Sequence, residues 1–128
     1  MELINKAIEG RKKAYAPYSN FLVGAAVLLK DGTIITGCNV ENASYGLSMC
    51  AERNTLFKMI SMGYHKEDIV AMAVVGDTEE PVSPCGACRQ VMVELLNSNA
   101  KIYLANLHGK VKEMTLEELL PYSFKEIE

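Results

Sequence analysis

The sequence predicts an α/β fold: a three-layer α/β/α sandwich on a mixed five-stranded sheet, formed by a single domain over residues 1–128. Three observations carry that expectation. Strand and helix patterns alternate through the middle of the chain, which argues for parallel pairing through right-handed crossovers. Asp31-Gly32 separates two apolar runs, a strong hairpin signal that adds an antiparallel pair. Ile69 to Val75 is a nearly unbroken apolar run, as expected of a strand covered on both faces.

Taken in order, Leu3, Ile4, Ala7, Ile8, Arg11, Ala14 and Tyr15 recur at helical spacing and predict a first helix that Pro17 ends. Arg11, Lys12 and Lys13 fall in its last turns, where cations suit the helix dipole, and read as a solvated face. Phe21 to Leu29 and Thr33 to Cys38 are the hairpin strands, with Gly24 and the two alanines after it marking a close approach. Asn39 to Met49 is a polar loop. A second helix is expected over Cys50 to Met62, with Gly63 as its C-cap. After the Ile69 strand, Pro81 and Pro84 stiffen a loop that leads to a third helix over Gly86 to Leu96. Lys101 to Ala105 and Lys110 to Met114 are the last strands. Thr115 and Glu118 spell a capping box for a short final helix halted by Pro121.

Composition narrows the function. The chain has 128 residues, 49% hydrophobic and 23% charged, enough for one packed core and too apolar for disorder. No apolar run is long enough for a membrane helix, and the N-terminus resembles neither a signal nor a transit peptide, so a cytoplasmic protein is expected. Net charge is −3 with no basic cluster beyond Arg11 to Lys13, which argues against a nucleic-acid polymer and for a small substrate. His65 and His108 read as surface residues.

The chemistry concentrates in Cys50-Ala51-Glu52 and Pro84-Cys85-Gly86-Ala87-Cys88. Three cysteines and one carboxylate make a ligand set with an open position, the pattern of a catalytic rather than a closed structural zinc. Cys85 and Cys88 share the first turn of one helix and Cys50 opens another, where unsatisfied amides and the dipole favour thiolate over thiol. Two helices starting at neighbouring strand ends would aim three sulfurs at one point, at the carboxyl end of the strands. Glu52 is too close to Cys50 to ligate comfortably, but it could lean over a metal-activated water as the proton-transferring group. Two blander readings stand beside this one: a dithiol redox pair at Cys85 and Cys88, and a closed four-cysteine site that uses Cys38. Cys38 also suits a small apolar role at a strand end. Pairing zinc with a glutamate serves hydrolytic removal of an amino group from a heteroaromatic ring, and zinc nucleobase deaminases carry it.

Over nearly its whole length the chain resembles the small, homotetrameric cytidine deaminases. The resemblance lies in Ala16-Pro17-Tyr18-Ser19, Val23-Gly24-Ala25-Ala26, Gly37-Cys38-Asn39-Val40-Glu41-Asn42-Ala43 and Cys50-Ala51-Glu52-Arg53. It continues in Pro84-Cys85-Gly86-Ala87-Cys88-Arg89-Gln90 and Leu119-Leu120-Pro121. It implies hydrolytic deamination of cytidine and deoxycytidine, with zinc on Cys50, Cys85 and Cys88 and Glu52 as the proton shuttle. It further implies that Asn39 and Glu41 bond the ribose hydroxyls; without it both would rank as ordinary loop residues. Phe21 would line the base pocket, backbone near Ala51 and Cys85 would read the pyrimidine edge, and Ala43 and Tyr45 would lie near a subunit boundary. Phe124 would reach a neighbouring subunit's site and stack on the base. Asn54 stands where a small residue or threonine is common, with little consequence expected. Alternatives are a deaminase of a related nucleoside such as blasticidin S, or a non-catalytic zinc-stabilised domain.

Charge counting adds Arg53. Zinc with three thiolates carries a net negative charge, and ionised Glu52 deepens it, so a cation is needed nearby. Arg53 could donate to the thiolates and draw charge from the metal; the plain alternative is a surface arginine.

Overall fold

The computed structural model describes residues 2–121, with Tyr45 described in its backbone alone. Helix α1 (Glu2–Arg11) leads into strands β1 (Val23–Leu29) and β2 (Ile34–Cys38), then helix α2 (Ala51–Ser61) and strand β3 (Ile69–Gly76). Helix α3 (Gly86–Leu95), strands β4 (Lys101–Asn106) and β5 (Val111–Met114), and helix α4 (Leu116–Leu119) follow. The five-stranded sheet has the order β2-β1-β3-β4-β5. It is mixed: β3 and β4 pair parallel, and the other neighbours pair antiparallel.

The alternation of side chains along each strand divides the core. Val27, Met72, Val74, Ile102 and Leu104 face α2 and α3, where Leu56, Met59 and Met92 meet them fully buried. Ala26, Ala71, Ala73, Val75 and Ala105 point the other way, toward Leu3 and Ala7 of α1. The large residues on the first face interlock, and deleting one to alanine costs about 2–5 kcal/mol. The small residues on the second face let α1 press close. A Cβ added at Gly24 would come within 2.0 Å of the Ala7 carbonyl oxygen, so Gly24 marks a close approach, as its sequence setting suggests.

The hairpin turn forms at Asp31-Gly32, where Gly32 takes a φ of 89° and Asp31 Oδ1 accepts from Thr33 N at 2.9 Å. The Thr115–Glu118 capping box opens α4, with both of its reciprocal bonds present.

One boundary departs from expectation. The first helix stops at Arg11 instead of running through Tyr15. Tyr15 N donates to Asn39 O at 3.0 Å and Glu41 N donates to Tyr15 O at 2.8 Å, so backbone pairing with the distant 39–41 segment replaces the last helical turn. Among the described residues no helix is long and apolar enough to cross a membrane.

Candidate active site

Two helix starts build the core of the site. Cys50 is the N-cap of α2 and Cys85 the N-cap of α3, both with extended backbone. The α2 start follows the carboxyl end of β2 and the α3 start that of β3. The Sγ atoms of Cys50, Cys85 and Cys88 lie within 4.8 Å of one another, and Cys50 and Cys85 stand 4.0 Å apart. Zinc–sulfur bonds of about 2.3 Å in tetrahedral array separate sulfurs by about 3.8 Å, so this spacing fits the ion with little adjustment. Cys50 makes no capping bond with its side chain, while Cys85 Sγ accepts from Cys88 N at 3.4 Å. All three are free cysteines; Cys88 is buried and Cys85 exposed. Cys38, at the end of β2, does not join this cluster among the described residues.

The electrostatics favour a thiolate at Cys50. A hydrogen bond from the Cys88 thiol, together with the Arg53 guanidinium, lowers the Cys50 pKa to about 5. That same bond to Cys50, with burial and the nearby Glu52 charge, pushes Cys88 up. Glu52, 5% exposed on the first turn of α2, has its pKa raised first by burial and then by the Cys50 charge. A carboxyl held this way keeps its affinity for a proton, as an acid–base group needs. Arg53 Nη2 donates to Cys50 Sγ at 3.5 Å, and the bond raises its own pKa. Its buried Nε finds no partner among the described residues.

The 39–41 segment runs beside this cluster. Val40 and Met49 exchange backbone hydrogen bonds at 2.9 and 2.8 Å, which brings the 39–41 segment alongside the residue that precedes Cys50. Asn39 Oδ1 accepts from Val23 N at 2.9 Å and its Nδ2 donates to Phe21 O at 2.8 Å. Glu41 accepts from the backbone of Tyr18 and Ser19 and from the Ser19 hydroxyl, which lowers its pKa. Phe21 reaches over the end of β3, where a Cβ at Gly76 would lie 3.1 Å from its Cζ. Ala51, the first residue of α2, is fully buried. Ala43 is exposed on the loop ahead of the short 3-10 turn Tyr45–Leu47. Phe124 lies outside the described residues. The two histidines serve elsewhere: His108 pairs with Asp77 at 3.0 Å, and His65 N donates to Asp68.

Sequence reasoning missed two braces. Asn54, expected to matter little, donates from Nδ2 to Cys38 O at 2.7 Å, tying β2 to the first turn of α2. Arg89 donates to Pro84 O at 2.9 Å, to Ser83 Oγ at 2.6 Å and to Leu119 O, so one guanidinium joins the Cys85 loop to the end of α4. The available signal was its position four residues after Cys85, on the turn that carries Cys88.

Known proteins place the chain among relatives. Residues 1–104 match the family model described as the cytidine and deoxycytidylate deaminase zinc-binding region, a span that contains all three clustered cysteines. A cytidine deaminase of Halalkalibacterium halodurans is 59% identical over 122 residues, covering 95% of this chain and 91% of that protein. One from Sporosarcina psychrophila is 51% identical over 96% of this chain and 89% of its own. The crystal structure of the Burkholderia pseudomallei cytidine deaminase superposes with a TM-score of 0.93 at 52% identity, covering 96% of this chain and 97% of that one. The fold, the clustered thiols and these likenesses converge: the chain belongs to the cytidine deaminase family.

Proposed function

We propose that this chain, as a single catalytic domain over residues 1–128, deaminates cytidine and deoxycytidine to uridine and deoxyuridine with release of ammonia. One observation carries the reading: three thiol sulfurs converge within 4.8 Å beside a glutamate that burial holds at raised proton affinity. Cys50, Cys85 and Cys88 hold one zinc. Zinc so bound acts as a Lewis acid that makes water a competent nucleophile near neutral pH.

The chain's own residues do the rest. Glu52 takes one proton from the attacking water and passes it to ring N3, then takes the second from the hydroxyl now on the ring carbon and delivers it to the departing amino nitrogen. Asn39 and Glu41 bond the ribose hydroxyls, Phe21 lines the base, and backbone near Ala51 and Cys85 reads the pyrimidine edge. Arg53 withdraws charge from the thiolates through its bond to Cys50. Ala43, Tyr45 and Phe124 complete the site across subunit boundaries of a homotetramer. The exposed apolar side chains of Leu47, Phe57 and Met62 suit a protein that associates with copies of itself. The substrate is a small nucleoside from pyrimidine salvage, met in the cytoplasm, with no nucleic-acid polymer or membrane as partner.

An ammonia-release panel over cytidine, deoxycytidine, cytosine and blasticidin S tests the assignment, run beside light scattering on the same preparation. Turnover of the two cytosine nucleosides by a tetramer is expected. Turnover of blasticidin S alone would contradict the substrate, and an active monomer would contradict the shared sites.

A further inference from the structure

The turn between α1 and β1 holds a side chain that the reading above leaves without a role. Asn20 has a φ of 58°, the one non-glycine residue in the left-handed region among those described. Its N–H donates to Ala16 O at 2.9 Å, closing a tight turn just before Phe21. Beyond the buried Ala16 at its start the turn has little apolar packing, since residues 17 to 21 are all exposed. Hydrogen bonds from the 39–41 segment hold it instead. Glu41 Oε1 accepts from Tyr18 N and Ser19 N, both at 3.1 Å, while Glu41 Oε2 accepts from the Ser19 hydroxyl. Ser19 Oγ in turn accepts from Phe21 N at 3.0 Å.

Counting hydrogen-bond capacity shows what remains for a ligand. A carboxylate offers about four acceptor positions, and the turn uses three of those on Glu41. The Asn39 amide spends one donor on Phe21 O and one lone pair on Val23 N, keeping one of each. Both residues therefore grip the turn and retain the capacity to meet a hydroxyl. A single serine hydroxyl bridges Glu41 on one side and the backbone of Phe21 on the other.

We propose that Ser19 is a positioning residue that couples the sugar-recognising carboxylate of Glu41 to the base-lining ring of Phe21. The inference rests on the nucleoside reading of the site and adds to it a link between its two halves. With the hydroxyl in place, the carboxylate is oriented for a sugar hydroxyl and the Phe21 ring is set over the base. Without it, Phe21 N loses its acceptor and Glu41 loses the donor that fixes Oε2.

The test uses the zinc-loaded protein with cytidine and with 2′,3′-dideoxycytidine, whose sugar lacks the hydroxyls Glu41 would bind. Ser19→Ala should raise KM for cytidine by about tenfold, the effect of losing a hydrogen bond to a charged group at a partly solvated site. Its kcat should stay within about threefold of wild type, and its zinc content should be unchanged. For the dideoxy substrate the KM penalty should fall to about threefold or less, because only the Phe21 share remains. Ser19→Thr, which keeps the hydroxyl, should restore cytidine KM. An equal KM rise for both substrates would overturn the coupling, as would zinc loss or an unchanged KM in Ser19→Ala. A wild-type protein that turned over no nucleoside would overturn the nucleoside reading and this inference with it. An active wild type with an indifferent Ser19→Ala overturns this inference alone.

Discussion

Cys50 and Cys85 each cap a helix, whereas Asn39 and Glu41 lie on a loop and hold a second loop 16 to 23 residues earlier in the chain. In the metal half, backbone geometry does the placing. A helix start fixes the capping residue's direction and supplies the field that favours a thiolate. In the loop half, side-chain hydrogen bonds do the placing, at exposed or half-buried positions where each bond is individually weak. The metal half should therefore respond to substitution in an all-or-none way through ligand loss. The loop half should respond gradually, in KM, with the metal retained.

Variants of three residues probe that contrast in falling order of effect. Glu52→Gln keeps size and hydrogen bonding but removes basicity. General acid–base catalysis contributes roughly 10² to 10⁴-fold, and one residue here serves several proton transfers, so a kcat loss at or above the upper figure is expected with zinc retained. Near-normal turnover by the zinc-loaded variant would remove Glu52 from the mechanism.

Arg53→Gln comes next. It should weaken zinc binding or activity by about 10 to 100-fold and raise the pH at which kcat/KM reaches its plateau. The metal-free protein gives an independent reading. Cys50 is held near a pKa of about 5 by its bonds to Cys88 and Arg53, below its ordinary value. A depressed pKa means that Cys50 contributes stability above the unfolded value and loses it as pH falls through about 5. At neutral pH Cys50 is already ionised, so zinc uptake should release fewer than three protons in wild type. Arg53→Gln should release more. Calorimetry in buffers of different ionisation enthalpy reads the difference, and equal release would show that Arg53 does not hold the thiolate.

The Ser19→Ala variant marks the small end of the scale, a shift in KM that leaves the metal untouched. A variant of the turn that shed zinc would erase the distinction between the two halves.

The contrast also explains what could be read from sequence. The clustering of Cys50, Cys85 and Cys88 was legible because their spacing is local to two helix starts. Asp31-Gly32 and the Thr115–Glu118 box were legible for the same reason. The end of α1 was not, since Tyr15 is drawn out of the helix by backbone partners at Asn39 and Glu41. Arg89 and Asn54 were hidden likewise, their acceptors lying 30 residues away at Leu119 and 16 away at Cys38. Asn39 and Glu41 gained their proposed sugar roles through family resemblance, and their grip on the turn came into view with the fold. Pairings of this kind depend on tertiary placement that no local pattern announces.

Zinc content per chain tests the account most directly, measured on wild type, Cys38→Ala and Cys88→Ala after purification without added metal. Wild type and Cys38→Ala should each carry close to one zinc, because Cys38 stands outside the thiol cluster. Cys88→Ala should lose the metal, since two sulfurs remain where about three protein ligands and a water are needed. Loss of zinc from Cys38→Ala, or full zinc in Cys88→Ala, would contradict the three-cysteine centre.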